Sequence, residues 1–153
     1  MFLVILPCLG FLAWMILIFS LSTPLGGWSH SQSLIETLLR AQFQFLSLDQ
    51  LHHINLWVRK GAHFSEYAML TGLGYWMGRV SFKLPWRRAL IMALAGSILY
   101  AISDEFHQSF VPGRTAQGLD VLIDSFGAST VVLLLYTWAR KPEGSSPDAA
   151  SAS

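Results

Sequence analysis

The sequence begins with a long apolar segment that contains no charged side chain. Residues 1–21 are long enough to cross the hydrocarbon core of a bilayer as a helix, which takes about 20 residues. A cleaved signal peptide would open with basic residues and carry a shorter apolar stretch, and this segment has neither feature. We therefore expect a membrane-spanning helix that is retained in the protein.

The composition of the whole chain predicts the same class. Of the 153 residues, 53% are hydrophobic and 12% are charged, and the mean hydropathy is +0.47, which leaves too much apolar surface for a soluble domain of this length. The length allows about four spans. We predict an all-α membrane protein with four transmembrane helices in one domain, residues 1–141, followed by a disordered tail, residues 142–153.

Three further apolar segments supply the other spans. They comprise residues 62–78, 89–110 and 118–139, and each has one polar end. Between the first and second spans, residues 22–55 combine apolar side chains at helical spacing with charged and amide side chains. This pattern predicts an amphipathic helix that lies in the membrane interface. Its apolar positions are Leu34, Leu38, Leu39, Phe43 and Leu46.

The distribution of basic residues predicts the orientation of the spans. Cytoplasmic loops of membrane proteins carry an excess of lysine and arginine. Such residues follow the second span and the fourth span, at Arg79, Lys83, Arg87, Arg88, Arg140 and Lys141. We therefore expect both termini to lie in the cytoplasm. The polar ends of the second, third and fourth spans then meet at the outer face.

Ionisable side chains converge at that predicted outer face, although they are costly to bury near hydrocarbon unless they are paired or hydrated. Residues three or four apart share one face of a helix. Three such stripes are present: Lys60, His63 and Tyr67 in the second span; Asp104, His107 and Gln108 in the third; and Asp120 and Asp124 in the fourth. A pocket formed by these stripes would bring cations, carboxylates and imidazoles together.

This combination suits anion binding with proton exchange. Lys60 and Arg114 would hold the anion, His63 and His107 would exchange protons, and a carboxylate would orient them. The predicted catalytic residues are His63, His107, Asp104 and Asp120, and the predicted substrate-binding residues are Lys60, Tyr67, Glu105, Gln108, Arg114 and Asp124.

Several other interpretations of the cluster were weighed. A structural ion-pair network that fastens the helix ends needs no substrate. A metal centre is disfavoured because no complete ligand set occurs at a diagnostic spacing, so no metal and no cofactor are predicted. A proton-coupled transporter is disfavoured because the ionisable residues gather at one face, and the lack of a basic stripe with interleaved aromatics predicts no nucleic-acid partner. The sequence leaves enzymatic activity and oligomeric state open.

One phosphate-binding element offers a partial match. Arg114, Asp120 and Asp124 have the spacing of the Arg-x5-His-x3-Asp element of PAP2-type lipid phosphatases, with aspartate in place of the nucleophilic histidine. The preceding Pro-Ser-Gly-His signature of those enzymes is missing. The match therefore supports phosphate binding and not their mechanism.

The residues also resemble the VanZ-like family of small bacterial integral membrane proteins. The matching positions are Lys60, His63 and Tyr67, the block Asp104-Glu105-Phe106-His107-Gln108, the block Pro112-Gly113-Arg114, Asp120 and Gly127. The chain departs from the family pattern at Asp124, where asparagine is usual, and at Gln117, where serine is common. The resemblance implies a cytoplasmic-membrane protein that acts near the cell envelope, in a family whose named member is associated with low-level resistance to the glycopeptide teicoplanin.

The leading functional hypothesis is that the pocket binds an anionic lipid or a lipid-linked envelope precursor and acts on it. The second hypothesis is a non-catalytic scaffold or ligand-binding membrane protein whose charged cluster fastens the helices. The expected partners are therefore the lipid bilayer and a membrane lipid or lipid-linked precursor.

Overall fold

The computed structural model describes residues 2–23, 37, 47–111 and 117–140. Within them the chain forms four helices and no strand: α1 (Phe2–Ser22), α2 (Leu48–Val80), α3 (Trp86–Gln108) and α4 (Gly118–Ala139). The predicted all-helical class is confirmed. Helices α1, α3 and α4 begin and end within a few residues of the predicted first, third and fourth spans.

Helix α2 is much longer than the predicted second span. Its 33 residues correspond to about 50 Å at the usual helical rise. It begins with a capping box, in which Ser47 Oγ accepts from the Gln50 N–H and Gln50 Oε1 accepts from the Ser47 N–H. Residues 48–55 therefore belong to α2 and not to a separate interfacial helix. The rest of the predicted interfacial segment lies outside the described residues, apart from Ser22, Thr23, Thr37 and Ser47.

Three of the four helices are long and apolar enough to cross a membrane: α1, α3 and α4. Helix α2 is not among them. Residues 61–78 of α2 contain one charged residue, Glu66, but their histidine, tyrosine and glycine residues keep the mean hydropathy of this part of the helix low. Three spans are thus supported by length and composition, and the predicted second span lies within α2.

The described helices bury polar side chains and expose apolar ones, which is the reverse of a soluble bundle. Leu3, Ile91 and Phe126 are each more than 65% exposed. By contrast, Thr71 is fully buried and its hydroxyl lies 2.8 Å from Ser97 Oγ on α3. Such an arrangement is typical of helices whose outer surface contacts lipid and whose inner faces hydrogen-bond to one another.

Helix α2 is the centre of the bundle and contacts α1, α3 and α4. Small residues allow α2 and α3 to approach closely. A Cβ atom at Gly74 would lie 3.5 Å from the Ala93 Cβ, and one at Gly78 would lie 3.2 Å from the Ala89 Cβ. Helix α1 packs on α2 and touches α3, but among the described residues it does not contact α4.

The antiparallel helices give the bundle two chemically different ends. At one end, α3 begins and α4 ends beside Arg87 and Arg140; we call this the basic end. At the other, α3 ends and α4 begins beside Glu105 and Asp120; we call this the polar end. Arg87 and Glu105 lie 18 positions apart on α3, or about 27 Å along the helix axis, which is close to the thickness of a hydrocarbon core.

Candidate functional site

Four buried carboxyl groups lie at the polar end, two on α3 and two on α4. Asp104 and Glu105 belong to the last turns of α3, and Asp120 and Asp124 belong to the first turns of α4. All four residues are at most 6% exposed. Burial of this many acidic groups requires specific partners, because an unpaired charge is unfavourable away from water.

Asp120 binds two cations from α2. Its Oδ2 lies 3.2 Å from Arg59 Nη2 and its Oδ1 lies 3.4 Å from Lys60 Nζ. The Asp120 side chain is 4% exposed, whereas those of Arg59 and Lys60 are 20% and 26% exposed. The carboxylate is therefore buried beneath two cations that remain accessible from outside the bundle.

Asp124 lies one turn deeper along α4 and faces His63 of α2. The two side chains approach to 3.3 Å between His63 Nδ1 and Asp124 Oδ1, an ion-pair distance without the alignment of a hydrogen bond. The pair is charged on both sides only when the imidazole is protonated. The second carboxylate oxygen, Oδ2, is buried and has no hydrogen-bond partner within the described part of the chain.

The close approach of α2 and α4 explains why these two side chains meet. Gly127 of α4 packs directly against the Phe64 carbonyl group of α2, so that a Cβ atom at this position would collide with the carbonyl oxygen. Gly127 follows Asp124 by almost one turn, and Phe64 follows His63 directly. The absence of a side chain at Gly127 therefore sets the separation of the His63 and Asp124 pair.

Asp104 connects α3 to the end of α1. Its Oδ2 accepts hydrogen bonds from Ser22 Oγ at 2.8 Å and from Gln108 Nε2 at 2.9 Å. Gln108 Nε2 also donates to Ser22 Oγ at 3.3 Å. This network is buried, with Gln108 fully inaccessible. It satisfies one carboxylate oxygen of Asp104, whereas Oδ1 has no hydrogen-bond partner among residues 2–23, 47–111 and 117–140.

Glu105 fixes the residue that precedes α4. Its Oε2 accepts a hydrogen bond from the Gln117 backbone N–H at 2.9 Å. Gln117 in turn accepts from the Asp120 N–H at 2.8 Å through its carbonyl oxygen. Glu105 therefore holds the first turn of α4, and with it Asp120, against α3.

Tyr67 of α2 lies among these groups. The residue is fully buried, and its hydroxyl has no hydrogen-bond partner in the described ranges. The phenol is close enough to Asp104 of α3 and to Asp124 of α4 to interact electrostatically with both. A buried hydroxyl beside carboxylate oxygens that also lack partners is suited to bind a water molecule, a proton or a ligand atom.

The charges of the buried carboxyl groups are unevenly balanced. Of the four, Asp120 alone is paired with a lysine or an arginine from the described residues, and it is paired with one of each. The other three depend on hydrogen bonds and on the imidazole of His63. The site thus has a cationic, accessible edge at Arg59 and Lys60 and an acidic, buried interior. Within the described residues, no group of three histidine, cysteine or acidic side chains is placed to hold a metal ion.

Comparison with known proteins identifies the family. The family model VanZ/LLP1 matches residues 5–139. The chain belongs to the VanZ/LLP1 family. No match was found among curated proteins or among solved structures. The match confirms the family that the resemblance indicated, and it makes the chain a VanZ/LLP1 membrane protein.

The structure brings most of the predicted VanZ/LLP1 site residues to the polar end. Eight of the ten predicted side chains take part in the contacts described above: Lys60, His63, Tyr67, Asp104, Glu105, Gln108, Asp120 and Asp124. Asp104 and Glu105 are adjacent on α3, yet both are buried, because Asp104 faces α1 while Glu105 reaches the start of α4.

The other two predicted residues have different outcomes. His107 is half-buried, and its ring lies against Phe19 of α1 with the ring centroids 4.8 Å apart. His107 thus contacts α1, whereas His63 faces Asp124 of α4. Helices α1 and α4 do not contact each other among the described residues, so the two imidazoles have different neighbours. Arg114 lies outside the described residues.

Two polar residues of the site were not singled out from the sequence. Arg59 precedes His63 by four residues and Tyr67 by eight, so helical spacing places all three on one stripe and was sufficient to find it. Ser22 closes the Asp104 network from the last residue of α1. A serine at a helix end is too common to mark a site, so no sequence signal pointed to Ser22.

Proposed function

We propose that this VanZ/LLP1 protein is a four-span inner-membrane protein whose polar end faces outward and binds the anionic headgroup of a lipid or lipid-linked cell-envelope precursor. The observation that carries the proposal is the pairing of two partly exposed cations, Arg59 and Lys60, with one buried carboxylate at Asp120. Both cations are partly exposed, so they present positive charge at the surface of the polar end. A phosphate group that approaches from outside the bundle would bind both of them.

The burial pattern of α2 supports its assignment as a membrane span in addition to α1, α3 and α4. Between residues 62 and 78, the polar residues His63 and Thr71 are buried, while Met69 and Trp76 are 50% and 40% exposed. Helix α2 thus buries polar side chains in the bundle and exposes large apolar ones on its outer surface. A helix with charged residues is tolerated in a membrane when they face the interior of the bundle and find partners there.

The basic end supports the proposed orientation. Arg79, Arg87 and Arg140 lie near that end, and the positive-inside rule favours the cytoplasm for it. The polar end, about 27 Å away along α3, then lies at the outer surface. With four spans, both termini lie on the cytoplasmic side.

The interior of the site suggests proton exchange beside the bound anion. His63 lies next to Asp124, and the Tyr67 hydroxyl, which has no hydrogen-bond partner among the described residues, lies within electrostatic range of that carboxylate. An imidazole beside a carboxylate is a common proton donor and acceptor near neutral pH. We therefore assign proton exchange to His63, with Asp124 orienting its ring, and charge binding to Arg59 and Lys60.

Arg114 is assigned to the same anion because it is close in sequence to a residue of the site. The Gln117 backbone N–H donates a hydrogen bond to Glu105 inside the site. Arg114 is three residues earlier, and three residues of extended chain span at most about 11 Å. Its guanidinium would add a bidentate phosphate ligand to the two cations of α2.

A non-catalytic scaffold is the second candidate, and the Ser22, Asp104 and Gln108 network favours it. These three side chains bond to one another and join α1 to α3 without any ligand. In this account, Arg59 and Lys60 serve only to hold the start of α4 against α2. The two candidates differ in what happens when the charges are removed together.

Binding of a polyprenyl phosphate, with the uncharged polyprenol as control lipid, tests the proposal. Native mass spectrometry of the purified protein in detergent would measure both lipids on the wild type, on Asp120→Asn and on the triple variant Arg59→Gln, Lys60→Gln, Asp120→Asn. The exposed residue Arg88 supplies the control substitution Arg88→Gln.

The proposal expects Asp120→Asn to bind the phosphate lipid at least as tightly as the wild type, because the competing carboxylate is neutral. The triple variant should lose about tenfold or more, the value of a charge-assisted hydrogen bond, and Arg88→Gln should be unchanged. Equal binding by the triple variant and the wild type would support the scaffold. In cells that lack the protein, altered susceptibility to teicoplanin would connect the site to the glycopeptide phenotype associated with the family.

A further inference from the structure

The basic end carries two neighbouring aromatic rings, each with a guanidinium group beside it. The Trp86 ring on α3 and the Tyr136 ring on α4 have centroids 5.8 Å apart. The Arg87 guanidinium lies 5.1 Å from the centroid of the Trp86 ring, and the Arg140 guanidinium lies 5.1 Å from that of Tyr136. These contacts place Arg87 among the residues that line the space between α3 and α4, and Arg140 beside the Tyr136 ring that also lines it.

An apolar groove of about 350 Å³ lies between the two helices, next to these aromatic rings. Its walls beyond the aromatic rings are aliphatic and are formed by Leu90, Ile91, Leu94 and Val132. Both helices are long and apolar enough to span a membrane, and the lining residue Ile91 is exposed on the outer surface of α3. An extended hydrocarbon chain matches this lining.

The two arginines are not neutralised by acidic side chains of the described chain. Neither Arg87 nor Arg140 forms an ion pair with residues 2–23, 47–111 or 117–140, and both are exposed. Tryptophan and tyrosine are typical of the membrane interface, where an aromatic ring reaches both hydrocarbon and headgroups. Positive charge beside the aromatic rings and aliphatic walls in the groove together match an anionic lipid.

We propose that this groove is a binding site for an anionic phospholipid, with one acyl chain along Leu90, Leu94 and Val132 and the phosphate between Arg87 and Arg140. The site is separate from the polar end, since Tyr136 lies 16 positions from Asp120 on α4, or about 24 Å. It therefore does not depend on the function proposed there. The bound lipid would fasten the ends of α3 and α4 in the leaflet at the basic end.

Selective lipid binding tests this site. Native mass spectrometry would measure adducts of phosphatidylglycerol and of zwitterionic phosphatidylcholine with the full-length protein in detergent. The charge variants are Arg87→Gln with Arg140→Gln, and Arg87→Lys with Arg140→Lys. The control is Arg88→Gln, which removes a neighbouring exposed arginine that does not line the groove. Two variants that fill the groove, Leu94→Trp and Val132→Phe, probe the acyl chain.

We expect the wild type to prefer phosphatidylglycerol. The double glutamine variant should bind phosphatidylglycerol roughly 25-fold more weakly, since each cation near an anionic headgroup contributes about fivefold. The double lysine variant and Arg88→Gln should keep the preference. Either groove-filling variant that retains wild-type helicity should bind both phospholipids more weakly than the wild type does.

Three results would overturn the proposal. The first is equal binding of the two phospholipids by the wild type. The second is an equal loss in Arg88→Gln and in the double glutamine variant, which would indicate diffuse charge attraction without a defined site. The third is unchanged lipid binding when the groove is filled, or a dimer that dissociates when it is filled, which would assign the groove to a second copy of the chain.

Discussion

Asp120 and Asp124 lie one helical turn apart on α4 and have opposite electrostatic surroundings. Asp120 is within 3.4 Å of two permanent cations, Arg59 and Lys60. Asp124 is within 3.3 Å of one imidazole, and one of its oxygens is buried with no hydrogen-bond partner in the described part of the chain. The same chemical change should therefore have opposite effects at the two positions.

We expect Asp120→Asn to lower the thermal stability of the protein in detergent and Asp124→Asn to leave it unchanged or raise it. Neutralising Asp120 removes two ion pairs and should cost about 1 to 3 kcal/mol, because the carboxylate is buried while the cations are partly exposed. Neutralising Asp124 relieves the burial of a poorly compensated charge. Melting temperatures of both variants check this, and a larger loss for Asp124→Asn would contradict the charge assignment.

Gly127 offers a test of the helix spacing at the site. Gly127→Ala should destabilise the protein by about 1 to 3 kcal/mol, because the new methyl group collides with the Phe64 carbonyl group and must push α4 away from α2. Gly96→Ala is the matched control, since a Cβ atom at Gly96 meets no heavy atom within 4 Å. Its melting temperature should be unchanged or slightly raised. Equal losses in the two variants would show that the glycines matter for helix flexibility and not for spacing.

Substitutions at two tyrosines distinguish a role in ligand binding from a role in stability. Tyr67→Phe removes a buried hydroxyl that has no partner in the described ranges, so the fold should be unaffected or stabilised. Tyr100→Phe removes a hydrogen bond of 2.8 Å to the Met15 carbonyl oxygen and should cost about 0.5 to 1.5 kcal/mol. If the Tyr67 hydroxyl contacts the bound anion or exchanges its proton, Tyr67→Phe should weaken binding of polyprenyl phosphate and Tyr100→Phe should not. A destabilised Tyr67→Phe with normal binding would give the hydroxyl a structural role.

The two histidines of the predicted site should differ in the same way. His63→Gln removes the partner of the buried Asp124 carboxylate, whereas His107→Gln removes a ring contact with Phe19 at the α1 side. We expect His63→Gln to change the pH dependence of lipid binding and His107→Gln to leave that dependence unchanged. His107→Gln should reduce stability by about 0.5 to 1.5 kcal/mol at most. If His107→Gln changed the pH dependence of lipid binding and His63→Gln did not, proton exchange would be assigned to His107.

Much of this architecture follows from the sequence by simple rules. Uninterrupted apolar runs located α1, α3 and α4, because a span of fixed thickness requires a fixed number of apolar residues. The stripe from Lys60 through His63 to Tyr67 followed from the helical period, and opposing chain directions then placed it beside Asp104 and Asp120. These contacts depend on few variables, so spacing alone was informative.

Other features depend on packing that spacing does not encode. The continuation of α2 back to Leu48 follows from the Ser47 and Gln50 cap, which outweighs the change to amphipathic composition that predicted a separate helix. The direction of the His107 side chain depends on where α1 packs, because the His107 ring lies against Phe19 of α1. The pairing of both Arg59 and Lys60 with one carboxylate depends on the rotation of α4 about its own axis, which no residue pattern specifies.

The most direct test of the central claim is a structure of the protein purified with a polyprenyl phosphate. We expect the phosphate group to lie within about 4 Å of both Lys60 Nζ and the Arg59 guanidinium, at the polar end of the bundle. A phosphate found at Arg87 and Arg140 alone, with none beside Arg59 and Lys60, would contradict this claim.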